Sequence, residues 1–110
     1  MELNATRNGQ TLTVTLNGEL DHHSAETRRK TIDRLLSDHR IRELLLDMKH
    51  VSFMDSSGLG VILGRYRVLS GRGGSVYVSN VTPNVDRIFK MSGIYSLIRR
   101  KGNEGDEHVR

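Results

Sequence analysis

The sequence has no cysteine. That absence excludes disulfides, thiol nucleophiles and cysteine-ligated zinc together, and leaves nothing that points to an oxidising compartment. Aromatic residues are scarce: two Phe and three Tyr offer little surface on which nucleic-acid bases could stack. Long apolar runs are missing too. Stretches such as Leu44-Leu45-Leu46 fall far short of the roughly 20 residues that a membrane-crossing helix needs. The start, Met1-Glu2-Leu3-Asn4, is polar and lacks the basic-then-apolar order of a signal peptide. The expectation is a cytoplasmic protein with no membrane partner.

What is present fits one folded unit. A chain of 110 residues has room for a single core, since such cores organise about 100 to 150 residues. Apolar residues at 35% and charged residues at 27% support a soluble globular fold with a well-charged surface. A net charge of +4 raises the question of nucleic acid. The basic residues are spread over three segments, Arg28-Arg29-Lys30, Arg65 to Arg72 and Arg99-Arg100-Lys101, with acidic residues between them, so no direct nucleic-acid partner is expected.

Along the chain, Leu12, Val14 and Leu16 alternate with threonines from Gln10 to Leu16, the period of a half-buried strand. Leu3 to Thr6, set off by Asn8-Gly9, predicts its hairpin partner. Asn17-Gly18 should break the strand, and Ser24 can cap a helix to about Asp38 with Ala25, Ile32, Leu35 and Leu36 on one face and charge on the other. Ile41 to Met48 reads as a strand buried on both faces. Leu59, Ile62, Leu63, Tyr66 and Leu69 recur at helical spacing up to Gly71, and Ser75 to Ser79 is a further buried strand. Thr82-Pro83 opens a third helix that Gly93 stops, and Ile94 to Ile98 adds a short strand or helical turn. Strands alternating with helices imply an α/β protein with a mainly parallel sheet. The polar stretch from Lys101 has no apolar periodicity and is expected to be a disordered tail, 101–110, after a domain of residues 1–100.

The chemistry concentrates where a strand hands over to a helix, at Asp55-Ser56-Ser57-Gly58. One reading is structural: Asp55 or Ser56 caps the helix, worth about 1 kcal/mol. The other starts from two adjacent hydroxyls before Gly58 and Gly60, glycines that let another backbone come close. A phosphate added there would carry about −1.5 to −2 charges, which free helix N–H groups and the positive dipole end tolerate. A partner docked over the same helix end would have to desolvate that dianion, with like charge from Asp21 or Asp55 close by.

The stretch Phe53-Met54-Asp55-Ser56-Ser57-Gly58-Leu59-Gly60-Val61-Ile62-Leu63-Gly64-Arg65-Tyr66 resembles the signature of bacterial anti-sigma factor antagonists. Gly18-Glu19-Leu20-Asp21-His22-His23 and Met91-Ser92-Gly93 extend the resemblance to the sporulation type, over about residues 3 to 100. It implies the STAS fold, a mixed, mainly parallel sheet of four to five strands flanked by about four α-helices. It also implies a regulator rather than an enzyme. When unphosphorylated, such a protein binds an anti-sigma factor that is also a serine kinase with bound nucleotide, and so frees a sporulation sigma factor. Phosphorylation by that kinase ends the interaction, and a serine phosphatase restores it. Carried over to this chain, the acceptor is Ser56. The partner-binding set is Asp21, His22, Asp55, Ser57, Gly58, Leu59 and Arg65, with Asp21 as the charge pair and the Glu19 to His23 loop near the acceptor. No cofactor, no metal and a monomer are expected.

Other readings compete. A stress-response STAS regulator would use the same chemistry on another sigma factor. His22-His23 beside Asp21 has metal-ligand types, but adjacent histidines on an extended segment point apart. A hydrolase would need Ser56 or Ser57 activated by one of those histidines, and the sequence has neither a Gly-x-Ser-x-Gly elbow nor a phosphate loop. Met48, Met54 and Met91 are expected to pack in the core.

Overall fold

The computed structural model describes residues 3–101. Strand β1 (Leu3–Asn8) turns at Gly9, in the left-handed region at φ 64°, into β2 (Thr11–Leu20). Helix α1 (Ala25–Leu35) follows, then β3 (Glu43–Met54), helix α2 (Ser56–Gly71) and β4 (Ser75–Ser79). Helix α3 (Pro83–Ser92), a 3-10 turn (Ile94–Ser96) and the two-residue β5 (Arg99–Arg100) complete the described chain. The strands form one sheet in the order β1-β2-β3-β4-β5, with β1 antiparallel to β2 and every other pair parallel. This is the mixed, mainly parallel sheet expected. The described residues contain three α-helices, one fewer than expected, because the chain after Gly93 makes only a single 3-10 turn.

Register explains where the core lies. Leu12, Leu44 and Val76 pair across three strands, as do Val14, Leu46 and Val78, and all six are buried. Alternation along the strands sends the intervening rows, Thr13-Leu45-Tyr77 and Thr15-Asp47-Ser79, to the other, half-exposed face. The strand around Leu44 to Leu46 is therefore fully buried on one face only, contrary to the reading of three consecutive leucines. Ile32, Ile62, Leu69, Val85 and Phe89 bring the helices onto the buried face.

Three local expectations change. Asn17-Gly18 does not end β2: Gly18, at φ 87°, sits at a shift of register against β3, and the strand continues to Leu20. Helix α1 stops at Leu35, three residues early, and Arg72 donates to the carbonyls of Leu36, Asp38 and Ile41 just beyond its end. Met48 and Met54 are buried as expected, but Met91 is 81% exposed, on the outer side of α3. The expected tail lies, from residue 102, outside the described residues.

Candidate functional site

Parallel strands β2 and β3 end side by side at Leu20 and Met54, which pair in register. The segments leaving these two strands therefore emerge at the same edge of the sheet, the carboxyl end at which open α/β proteins commonly place their sites. After β3 the chain enters α2 directly, with Asp55 as the extended N-cap residue. Its Oδ1 accepts from the Ser57 and Gly58 backbone N–H groups at 2.8 and 3.2 Å, and its Oδ2 accepts from the His22 N–H at 3.1 Å. One carboxylate thus caps α2 and ties it to the loop after β2. Leu59 N–H closes the first helical bond on the Asp55 carbonyl, so among the described residues the Ser56 N–H is the first-turn donor left without a partner. The several free donors expected from sequence are reduced to that one.

Gly58 packs this corner. A β-carbon built there would lie 2.2 Å from the Leu20 carbonyl oxygen and 2.7 Å from Met54 Cγ, so only glycine lets α2 rest on the end of β2. Gly60 faces open space, with nothing within 4 Å of the same construction. Within the fold, only Gly58 of the two is in close contact with another backbone.

The loop from Asp21 to Ser24 is a turn rather than an extended segment. Asp21 Oδ1 accepts from the backbone N–H groups of His23 (3.0 Å) and Ser24 (3.2 Å), and the Asp21 carbonyl takes those of Ser24 and Ala25. Ser24 holds the N-cap position of α1 without capping it: its hydroxyl donates to the Glu19 carbonyl and accepts from the Asp21 N–H. Desolvation works to raise the Asp21 pKa, but the Ser24 and His23 backbone donors outweigh it and hold the carboxyl below its ordinary value. The tight turn also brings the His22 and His23 rings into edge-to-face contact, 5.6 Å between centroids, instead of pointing them apart. Among the described residues no group of three or more His, Asp or Glu side chains is placed to hold a metal.

Seven of the eight residues singled out from sequence come together here. Ser56 is exposed at the first position of α2; Asp55 and Ser57 are half-buried; Asp21 and His22 are joined to them through Asp55; Gly58 and Leu59 lie one turn in. Leu59 faces a groove of about 260 Å³ that it shares with Leu63, Gly93, Ile94 and Leu97. The Met91-Ser92-Gly93 segment thereby reaches the same region, and Leu97 and Phe53 are exposed at 45% and 41%. Arg65 is the exception. It is 7% exposed, its Nε lies 3.0 Å from Asp33 Oδ1 as an ion pair without hydrogen-bond alignment, and it fastens α2 to α1. Its guanidinium is taken up by that contact between the two helices. Sequence reasoning missed Arg28, which also faces inward. The signal was available: it lies four residues before Ile32 and three after Ala25, on the apolar stripe of α1.

The site is thus one exposed serine at a helix N-terminus, capped from behind by Asp55 and bound to the neighbouring loop at the end of a mixed sheet. The STAS domain model matches residues 2–107, and the chain belongs to the STAS domain family. Within it, the similarity is to antagonists of anti-sigma factors. An anti-sigma F factor antagonist of Paenibacillus polymyxa is 42% identical over 93 residues, which cover 84% of this chain and 80% of that protein. The structure of the anti-sigma factor antagonist SpoIIAA in its unphosphorylated form superposes with a TM-score of 0.81 at 29% identity, over 98% of this chain and 93% of that one. The Bacillus cell fate determinant SpoIIAA in its phosphorylated form gives 0.72, also at 29% identity, over 99% and 100%. No helix among the described residues is long and apolar enough to cross a membrane.

Proposed function

We propose that this chain is a cytoplasmic anti-sigma F factor antagonist, switched by phosphorylation of Ser56. Unmodified, it docks on an anti-sigma factor that is also a serine kinase and so releases a sporulation sigma factor. The kinase phosphorylates Ser56 with its bound nucleotide, the complex dissolves, and a phosphatase resets the cycle. The antagonist itself carries out no catalysis and acts as a monomer.

The observation that carries this reading is the contrast between Ser56 and its surroundings. Ser56 is exposed and its hydroxyl makes no hydrogen bond among the described residues, whereas Asp55 and Gly58 on either side are tied into the fold. A dianion at Ser56 leaves the Asp55 cap and the Gly58 contact in place, and it gains the Ser56 N–H and the dipole of a 16-residue helix. The domain therefore tolerates the modification. A docked partner does not, because it would have to strip water from a doubly charged group beside Asp55 and Asp21. Leu59 and the exposed Phe53 and Leu97 supply apolar area next to the serine for that partner to cover.

The test is phosphorylation by the cognate kinase with ATP, followed by peptide mass mapping. Phosphate on Ser56 is the expected result. Phosphate confined to Ser57, or absent, overturns the mechanism. Ser56→Ala should bind the kinase and resist being switched off.

A further inference from the structure

Arg28 is a charge buried without a counter-ion. It is 5% exposed, and its Nε and Nη2 are closed to solvent and have no hydrogen-bond partner among the described residues. Burial lowers its guanidinium pKa, yet an arginine remains protonated at neutral pH. An apolar side chain at this place on the inner stripe of α1 would avoid the desolvation cost, so the fold alone gives no reason for a cation here.

The same side chain lines an open cleft of about 650 Å³, together with Glu19, Asp21, His23, Ser24 and Thr27. Arg28 is the buried member of that lining; the others are half-buried or exposed. The Asp21 carboxylate is already engaged by backbone donors of the turn. Through His22 and Asp55 the turn that lines this cleft is bonded to the start of α2, the helix that begins at Ser56.

We propose that Arg28 receives a carboxylate, an Asp or Glu side chain of the kinase, when the kinase docks over Ser56; the inference rests on the function proposed above. Nε and Nη2 are closed to solvent, which leaves Nη1 to meet one carboxylate oxygen in a charge-assisted hydrogen bond. Glu19 and Asp21 in the cleft wall argue against a phosphate, whose double charge they repel more strongly than a single one. Arg28 thereby becomes a residue that selects the partner, separate from the serine that switches it.

The experiment compares full-length wild type with Arg28→Met, which keeps the aliphatic stem, and Arg28→Lys. Phosphorylation of Ser56 in the wild type is checked first: its absence defeats the proposed function irrespective of Arg28. Where it occurs, R28M is expected to melt no lower than wild type and to bind the kinase about thirtyfold more weakly. R28K should recover part of that loss. Among Asp→Asn and Glu→Gln variants of the kinase, one should lose the same factor and lose no more when combined with R28M. Binding by R28M within about twofold of wild type overturns the proposal. So does a lowered melting temperature of R28M, which would make Glu19 the internal counter-ion, or saturable binding of inorganic phosphate at Arg28 in the free protein.

Discussion

Gly58→Ala tests how the site is built. The added methyl would sit 2.2 Å from the Leu20 carbonyl oxygen, 2.7 Å from Met54 Cγ and 3.1 Å from Leu20 Cγ. Ordinary carbon contacts need roughly 3.5 Å, so the start of α2 must withdraw by about 1 Å from the end of β2. The nearest atom is backbone within a paired strand and cannot swing aside. Overpacking of this kind costs about 1 to 3 kcal/mol, and a backbone clash belongs at the upper end. Replacing a helical glycine returns up to about 1 kcal/mol, so the net loss is about 2 kcal/mol, or roughly 10 °C in melting temperature for a domain of this size. Gly60→Ala supplies the control, since nothing lies within 4 Å of its added carbon. That variant keeps only the propensity term and should melt a few degrees higher. Thermal unfolding monitored by far-UV circular dichroism compares the two, both made on the same helix two residues apart. Equal effects, or a Gly58→Ala protein as stable as wild type, would refute the packing argument.

Other residues carry their own expected outcomes. Asp55→Ala removes the two cap bonds and the tie to His22, and should lower stability by about 1 to 2 kcal/mol in urea unfolding; an effect below about 0.3 kcal/mol would mean that the cap is not used. Asp86 accepts from the Tyr95 hydroxyl at 2.7 Å and forms ion pairs with Lys90 and Arg100, both at 3.1 Å. The Tyr95 hydrogen bond leads in lowering its pKa, desolvation opposes, and the two cations add to the lowering. A carboxyl whose folded pKa lies below its unfolded value stabilises above the unfolded pKa of about 4, and that contribution disappears as pH falls through the folded value. Asp86→Asn should therefore flatten part of the acid limb of the stability curve, and an unchanged limb would contradict the assignment.

The elements were legible because threonine alternation, the Asn8-Gly9 turn and the Thr82-Pro83 helix start each carry a local physical signal. The helix start at Asp55-Ser56-Ser57 was legible because an aspartate and two serines ahead of a helical repeat mark an N-cap without any tertiary knowledge, whereas the choice of Ser56 as acceptor rests on the family resemblance. What escaped depends on neighbours distant in sequence. Gly18 looks like a strand breaker until β3 lies beside it to take up the register shift. Leu45 looks as buried as Leu44 until the sheet proves to be fully covered on one face only. Met91 fits an apolar pattern but faces outward on α3, and Arg65 belongs to an exposed-looking signature yet is claimed by Asp33 of another helix. For Arg28 the periodicity was correct and the charge overrode it: position 28 belongs to the inner stripe whatever residue fills it.

The most direct measurement is the affinity of one kinase preparation, at fixed nucleotide, for this protein before and after stoichiometric modification of Ser56, with the melting temperature of both forms recorded alongside. Weakening of about a hundredfold or more, with the fold unchanged, is predicted, because roughly 3 kcal/mol is a modest penalty for enclosing a dianion next to two carboxylates. Equal affinity of the two forms, or weaker binding accompanied by unfolding, would contradict it.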